Sequence, residues 1–369
     1  MADLFVLAAE PSGDLHGANL IRELKRLRPN LKIAAVAGPK MRELPIDCLF
    51  PMESLQVMGF TDVAVALPRI ARQFFAIRKA IVQANPKAVV CIDYPGFNLR
   101  LERSLRKKNY QGKLIHYICP TVWAWGKKRI PKMAETLDLL LAILPFEKKC
   151  FEGTSLRVEY VGHPLSSRID PEPSRLRKPI LALFPGSRTA EIERNFPLQI
   201  AAAKTLRVLD SSIEIAVSAA DPAYEPLIRS QARDIPFRLV PASESYALMK
   251  EARLAIATSG TVCLELALHR LPTVVNYAIR PFDVFLAQKI FGINLPFYCI
   301  VNILLSKRAF PELFGPNLSA KTLAEWTGRL WFDGPERRAA EECCSEIWET
   351  LGRRNASREA AEAVMSLAF

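Results

Sequence analysis

Residues 163–188 read HPLSSRIDPEPSRLRKPILALFPGSR, and this stretch decides how the whole chain is divided. Its first part holds four prolines, Pro164, Pro171, Pro173 and Pro179, with few large apolar residues, the composition of an interdomain linker. Its second part restarts a regular pattern. Ile180–Phe184 is an apolar run of strand length, it ends in Pro185-Gly186-Ser187-Arg188, and a helical pattern continues through Leu209. A linker between two such beginnings predicts an N-terminal domain over 1–165 and a second over 166–340. A charged helical tail follows over 341–369.

Working outward, both halves alternate strand-length apolar runs with helical patterns. Ahead of the linker these runs are Leu4–Ala9, Lys32–Ala37, Ala88–Asp93, Lys113–Cys119, Leu137–Leu144 and Arg157–Val161. Beyond it they are Ile180–Phe184, Glu214–Ser218, Phe237–Val240, Leu254–Thr258 and Pro272–Asn276. Apolar strands separated by helix-length segments imply parallel sheets covered on both faces. The expected fold is α/β, two Rossmann-like parallel-sheet domains with a ligand cleft between them.

Composition narrows the function classes. At 369 residues, 50% hydrophobic and 24% charged, the chain can bury a sizeable core, which excludes disordered, collagenous and disulfide-dense proteins. No apolar run reaches the ~18 residues of a spanning helix. The chain opens almost directly on an apolar strand, so a cytoplasmic protein without a leader is expected. Fifty Lys and Arg against 38 Asp and Glu leave a net charge of +12, which favours nucleic acid, phosphorylated ligands or an acidic membrane face. The eight cysteines form no C-x-x-C pair and read as reduced thiols, and four scattered histidines give no metal-ligand spacing, so neither metal nor cofactor is expected.

Chemistry gathers where strands end. Ala9-Glu10-Pro11-Ser12-Gly13-Asp14 joins a strand to a helix, placing two carboxylates and a glycine at the edge where parallel sheets bind ligands. The spacing is not that of a dinucleotide fingerprint, and a simple turn capped by Ser12 or Asp14 fits as well. Asp93, in Ile92-Asp93-Tyr94-Pro95-Gly96-Phe97-Asn98, is a candidate general base or a cap for the next helix. Trp123 and Trp125, followed by Lys127, Lys128 and Arg129, read either as core beside a solvated face or as a sugar or acyl wall with a phosphate clamp. Ser187 with Arg188, and Ser259-Gly260-Thr261 with Glu265 one turn later, each open a helix. Either motif alone is an ordinary cap; together they favour a nucleotide diphosphate, its phosphates on N–H groups and its ribose on Glu265. Leu67, Ile70, Ala71, Phe74, Phe75, Ile81 and Val82 recur at helical spacing among arginines and lysines, just after Val57, Met58 and Phe60. That element is either a core helix with a basic face or an amphipathic surface for an anionic bilayer, and the tandem phenylalanines favour the second.

In order along the chain, Ala-Glu-Pro-Ser-Gly-Asp (9–14), Val-Met-Gly-Phe (57–60), Ile-Asp-Tyr-Pro-Gly-Phe-Asn (92–98) and His-Tyr-Ile-Cys-Pro-Thr-Val-Trp-Ala-Trp (116–125) resemble the lipid-A-disaccharide synthase family. Leu-Pro-Phe-Glu (144–147), Tyr-Val-Gly-His-Pro (160–164), Leu-Phe-Pro-Gly-Ser-Arg-Thr-Ala-Glu-Ile (183–192) and Ser-Gly-Thr-Val-Cys-Leu-Glu (259–265) continue the match over essentially the whole chain. The resemblance implies a GT-B glycosyltransferase, with the acceptor on the first domain, the UDP-sugar mostly on the second, and the C-terminal helices 341–369 packing back on an N-terminal domain. It implies transfer of 2,3-diacylglucosamine from UDP to 2,3-diacylglucosamine 1-phosphate (lipid X), with inversion, on the inner face of the cytoplasmic membrane. By the same resemblance Asp93 is the base and Glu10 the second choice. Ser187, Arg188, Ser259, Gly260, Thr261, Glu265 and Asn302 hold UDP, and Ser12, Gly13, Asp14, Met58, Trp123, Trp125, Phe74 and Phe75 serve the acceptor or its lipid. Gly96 stands where some members carry a second acid, and the segment before Asn302 lacks their Leu-Pro. A UDP-sugar epimerase shares the two-domain design without needing a membrane surface. A nucleic-acid-binding protein would need clustered cations that only residues 123–129 supply. A homo-oligomer exchanging its terminal helices would have this same sequence.

Overall fold

Strands buried on both faces need apolar side chains at every position, and the computed structural model places such strands at the centre of two sheets. It describes residues 2–55, 63–170, 177–279 and 295–369. The first sheet contains β1 (Leu4–Ala8), β2 (Ile33–Ala37), β3 (Asp47–Pro51), β4 (Ala88–Ile92), β5 (Lys113–Tyr117), β6 (Leu139–Ala142) and β7 (Arg157–Tyr160). Its strands are all parallel and lie in the order β3-β2-β1-β4-β5-β6-β7. The second contains β8 (Ile180–Phe184), β9 (Glu214–Ala219), β10 (Arg238–Pro241), β11 (Leu254–Thr258), β12 (Thr273–Tyr277) and β13 (Glu312–Phe314). It is also parallel, in the order β10-β9-β8-β11-β12-β13. Each order reverses direction once, between β1 and β4 and between β8 and β11. Ligands of doubly wound sheets bind at that switch point, beyond the carboxyl ends of the strands.

The chain divides into two units, one running to Ser167 and completed by Arg353–Phe369, the other Arg168–Gly352. Alternation along β1 shows how the first is covered. Leu4, Val6 and Ala8 join a cluster with Leu20, Ile21 and Leu24 of helix Pro11–Leu27 and with Ala360, Ala361 and Val364 of the last helix, Ala356–Ala368. Phe5, Leu7 and Ala9 face the other way, toward Ile77 and Ile81 of helix Val63–Ala84 and Leu101 and Leu105 of helix Pro95–Lys107. The helix Pro335–Leu351 belongs wholly to the second unit. No helix among the described residues is long and apolar enough to cross a membrane.

Candidate active site

Helix Pro11–Leu27 starts at once after β1 because Glu10 is extended (φ −148°) and Pro11 supplies a preset first helical residue. Glu10 therefore sits at the first switch point, where its Oε1 accepts the Ser12 hydroxyl at 2.7 Å. Across the reversal, β4 ends in Asp93 and Tyr94, both left-handed at φ +46°. Two consecutive non-glycine residues in that region are rare, and such strain gathers at functional sites. The turn is tied down by Asn98, whose Nδ2 donates to the Asp93 carbonyl at 2.7 Å and to that of Ile92 at 3.1 Å. Burial raises the Asp93 carboxyl above the usual range and the Glu10 carboxylate beside it raises it further, while His116 pulls it back.

A third carboxyl reaches this edge. Glu147 follows β6 and is almost wholly buried, its Oε2 accepting the N–H groups of Leu144 (3.0 Å) and Ile143 (3.2 Å). Burial nevertheless pushes it up to about 8, with the Asp93 charge adding to the rise. Behind β5, His116 Nδ1 lies 2.8 Å from Glu102 Oε1, and both side chains are fully buried.

The second switch point is built from two glycine-containing loops, with two carboxylates among their hydroxyls and N–H groups. Gly186 is left-handed at φ +123°, and a Cβ there would fall 2.8 Å from Glu191 Cβ, so the Pro-Gly-Ser-Arg turn needs glycine. Glu191 then holds the loop, accepting Ser187 N–H on Oε2 at 3.1 Å and Arg188 Nη1 on Oε1 at 2.5 Å. Thr258 Oγ1 donates to the Pro185 carbonyl at 2.8 Å and links β8 to β11. A cavity of about 320 Å³ lies here, lined by Gly186, Ser187, Ser259, Gly260, Thr261 and Glu265 among others. Glu265 Oε1 accepts the Tyr246 hydroxyl at 3.0 Å; burial raises this carboxyl and the tyrosine lowers it.

The structure thus brings Asp93 and Glu10 together, and gathers Ser187, Ser259, Gly260, Thr261 and Glu265 around one cavity, with Arg188 tied through Glu191 to its rim. Several other candidates are corrected. Asp14 is buried, and its oxygens accept the N–H groups of Gly38 (2.9 Å), Lys40 (2.8 Å) and Met41 (3.1 Å), so it caps the next turn. Gly13 lies buried against Ala8 and the Ile92 carbonyl rather than toward a ligand. Asn302 is fully buried: Nδ2 donates to Phe310 O (2.9 Å) and Glu312 Oε2 (3.0 Å), and Oδ1 accepts Ala309 N–H (3.0 Å) and Phe310 N–H (2.8 Å). Its amide is committed to fastening a turn. The tandem phenylalanines separate. Phe74 packs edge-on to Phe97 at 5.5 Å and belongs to the core, whereas Phe75 is 55% exposed. Trp123 is half-buried, edge-on to Phe146 at 5.4 Å, and Trp125 is exposed. Met58 lies outside the described residues.

Sequence reasoning passed over Glu147, Glu191 and Tyr246. Glu191 stood three residues beyond Arg188, the spacing of a helical ion pair, and was the one with a readable signal.

Two doubly wound parallel sheets, each with its site at the switch point, define the GT-B class shared by nucleotide-sugar glycosyltransferases and related epimerases. Solved structures with this fold include a putative UDP-N-acetylglucosamine 2-epimerase from Listeria monocytogenes (TM-score 0.63, 13% identical, covering 99% of this chain and 96% of that one). Another is a calicheamicin glycosyltransferase (TM-score 0.61, 14% identical, covering 100% and 98%). Within that class, the model of the lipid-A-disaccharide synthetase family matches residues 4–366, and the chain belongs to this family. It is similar to the lipid-A-disaccharide synthase of Chlamydia trachomatis serovar D, 41% identical over 324 residues, 84% of this chain and 53% of that relative. The Azotobacter vinelandii enzyme of the same name is 35% identical across 98% of this chain and 97% of its own. The chain spans about half the length of the chlamydial relatives it matches.

Proposed function

We propose that this protein transfers 2,3-diacylglucosamine from UDP-2,3-diacylglucosamine to the 6-hydroxyl of 2,3-diacylglucosamine 1-phosphate, releasing UDP and the β-1′,6-linked disaccharide 1-phosphate. The observation that carries the reading is the pair of switch points within one family fold: a strained turn with the raised carboxyl of Asp93 beside Glu10 at the first, and at the second a cavity of about 320 Å³ lined by the Gly186-Ser187 and Ser259-Gly260-Thr261 loops and by Glu265. Asp93 takes the proton of the acceptor hydroxyl as its oxygen bonds to the anomeric carbon, and the bond from that carbon to UDP breaks. The negative charge that develops on the departing pyrophosphate meets the Ser187 and Ser259–Thr261 loops and Arg188. Glu265 receives ribose hydroxyls. Inversion in a single displacement needs no covalent intermediate.

Helix Val63–Ala84 supports action at a membrane surface. Leu67 (57% exposed), Phe75 (55%) and Val82 (40%) form an exposed apolar stripe alongside the buried Ile77 and Ile81, with exposed Arg72 and Lys79 on its other side. Such a face suits the anionic inner leaflet of the cytoplasmic membrane, from which acylated substrates would enter.

The test is UDP release from UDP-2,3-diacylglucosamine in detergent micelles, with and without the acylated glucosamine 1-phosphate. Release that depends on the acceptor, with a disaccharide of the expected mass, is the predicted result. No release from folded protein, or epimerisation of unacylated UDP-N-acetylglucosamine, would overturn the reading.

A further inference from the structure

In the first unit, helices Pro95–Lys107 and Arg129–Thr136 flank a groove of about 280 Å³. Arg100 and Arg103, one turn apart, line one wall; Arg129 and Lys132, one turn apart, line the other. The described residues hold no carboxylate partner for any of the four, although many arginines elsewhere in the chain are paired. Like charges one helical turn apart repel, so four of them around one groove favour an anion that neutralises them. Glu102 lies at the floor, but its Oε1 is turned to His116 Nδ1 at 2.8 Å.

One of the four is set in place by its surroundings. The Arg129 guanidinium lies 4.6 Å from the centre of the Trp125 ring, a stacked cation–π contact. Gly126, left-handed at φ +80°, makes the turn between the two residues, a conformation that a side chain there would strain. Pro95 and Gly96 at the groove's mouth follow Asp93 by two and three residues, so the groove opens beside the candidate base.

We propose that this groove binds a phosphate monoester, the phosphate of the acylated-sugar acceptor, and so orients the acceptor's hydroxyl toward Asp93. The inference rests on the transferase reading and adds a site to it. Its planar guanidinium forks suit a dianionic phosphate. The phosphates of bilayer lipids are the competing source of the same chemistry.

The test is the double variant Arg100→Gln/Arg103→Gln, both side chains being exposed. Turnover is measured with 2,3-diacylglucosamine 1-phosphate and with its dephosphorylated form, alongside donor KM and binding to phosphatidylglycerol-containing vesicles. The variant is expected to raise the KM for the phosphorylated acceptor about 10–100-fold, to lose most of the wild-type preference for it, and to leave donor KM and vesicle binding within about twofold. A preserved preference overturns the proposal. So does a loss of vesicle binding with unchanged preference, which would assign the groove to bilayer headgroups. If the wild type makes no disaccharide from either acceptor, the transferase reading has failed. Calorimetry with glucosamine 1-phosphate then judges the groove separately: binding to wild type and not to the variant supports it, and equal or absent binding overturns it.

Discussion

Asp93→Asn isolates the proposed proton transfer from everything else the residue does. The backbone roles survive, since Asp93 N–H still donates to the Tyr117 carbonyl at 2.8 Å and its own carbonyl still accepts from Asn98 at 2.7 Å. Asparagine also tolerates the left-handed φ of +46° that the turn demands. Only the charge and the basic oxygen are lost. Positioned general-base catalysis contributes about 10²–10⁴-fold, so kcat should fall by that factor, about 3–5 kcal/mol in activation free energy. Stability should not fall with it. The Asp93 carboxyl is raised in the folded state by burial and by Glu10, so its ionisation weakens the fold as pH rises through the folded value, and the amide removes that cost. UDP affinity should stay at the wild-type value.

The assay is steady-state turnover in mixed micelles, paired with UDP titration calorimetry and thermal unfolding at the same pH. Turnover within about fivefold of wild type would remove Asp93 as the base. A parallel loss of Tm would mean that the turn, not the proton, had been disturbed.

Further outcomes follow from the same coordinates. Glu10→Gln removes a charge that helps raise Asp93, so the acid limb of kcat/KM should move to lower pH; an unmoved limb refutes the coupling, and a collapse matching Asp93→Asn would make Glu10 the base. Glu147, about 8 in the fold against an ordinary 4.5, should cost stability at about 1.4 kcal/mol per pH unit between those values and no more above 8. Glu147→Gln should therefore gain on wild type from pH 5 to 8 in denaturant unfolding, and parallel pH profiles would deny that burial. Asn302→Ala should lose about 3 kcal/mol or more of stability, because it strands several buried donors and acceptors, with UDP affinity unchanged; weaker UDP binding at unchanged stability would restore it to the nucleotide site. Phe75→Ser should weaken vesicle binding with little change in Tm and Phe74→Ser should lower Tm, a contrast whose reversal would mean the helix presents its other face.

What could be read in advance follows a physical divide. The central strands β1, β4, β8 and β11 are buried along their length, so their sequences are unbroken apolar runs, and the motifs at their carboxyl ends are visible without a structure. The side-chain partners of polar residues are not. Asp14 looks like a ligand-facing acid until the chain returns its residue 38–41 turn over that carboxylate. Asn302 likewise looks free until Ala309, Phe310 and Glu312 close around it. Phe74 and Phe75 differ by about 100° around the helix, and only the position of Phe97 decides which of them faces inward. Glu147 carries no mark in sequence of the burial that sets its charge.

The two switch points use their carboxylates differently. At the first, a carboxyl is raised by every negative charge near it, as Glu10 raises Asp93. At the second, a carboxylate orders a loop. Glu191 takes the Ser187 N–H and the Arg188 guanidinium on its two oxygens, so the loop is ordered, and an anion that used these donors would have to exchange with Glu191. A loop already ordered loses less conformational freedom on binding than a slack one, which offsets part of the cost of that exchange.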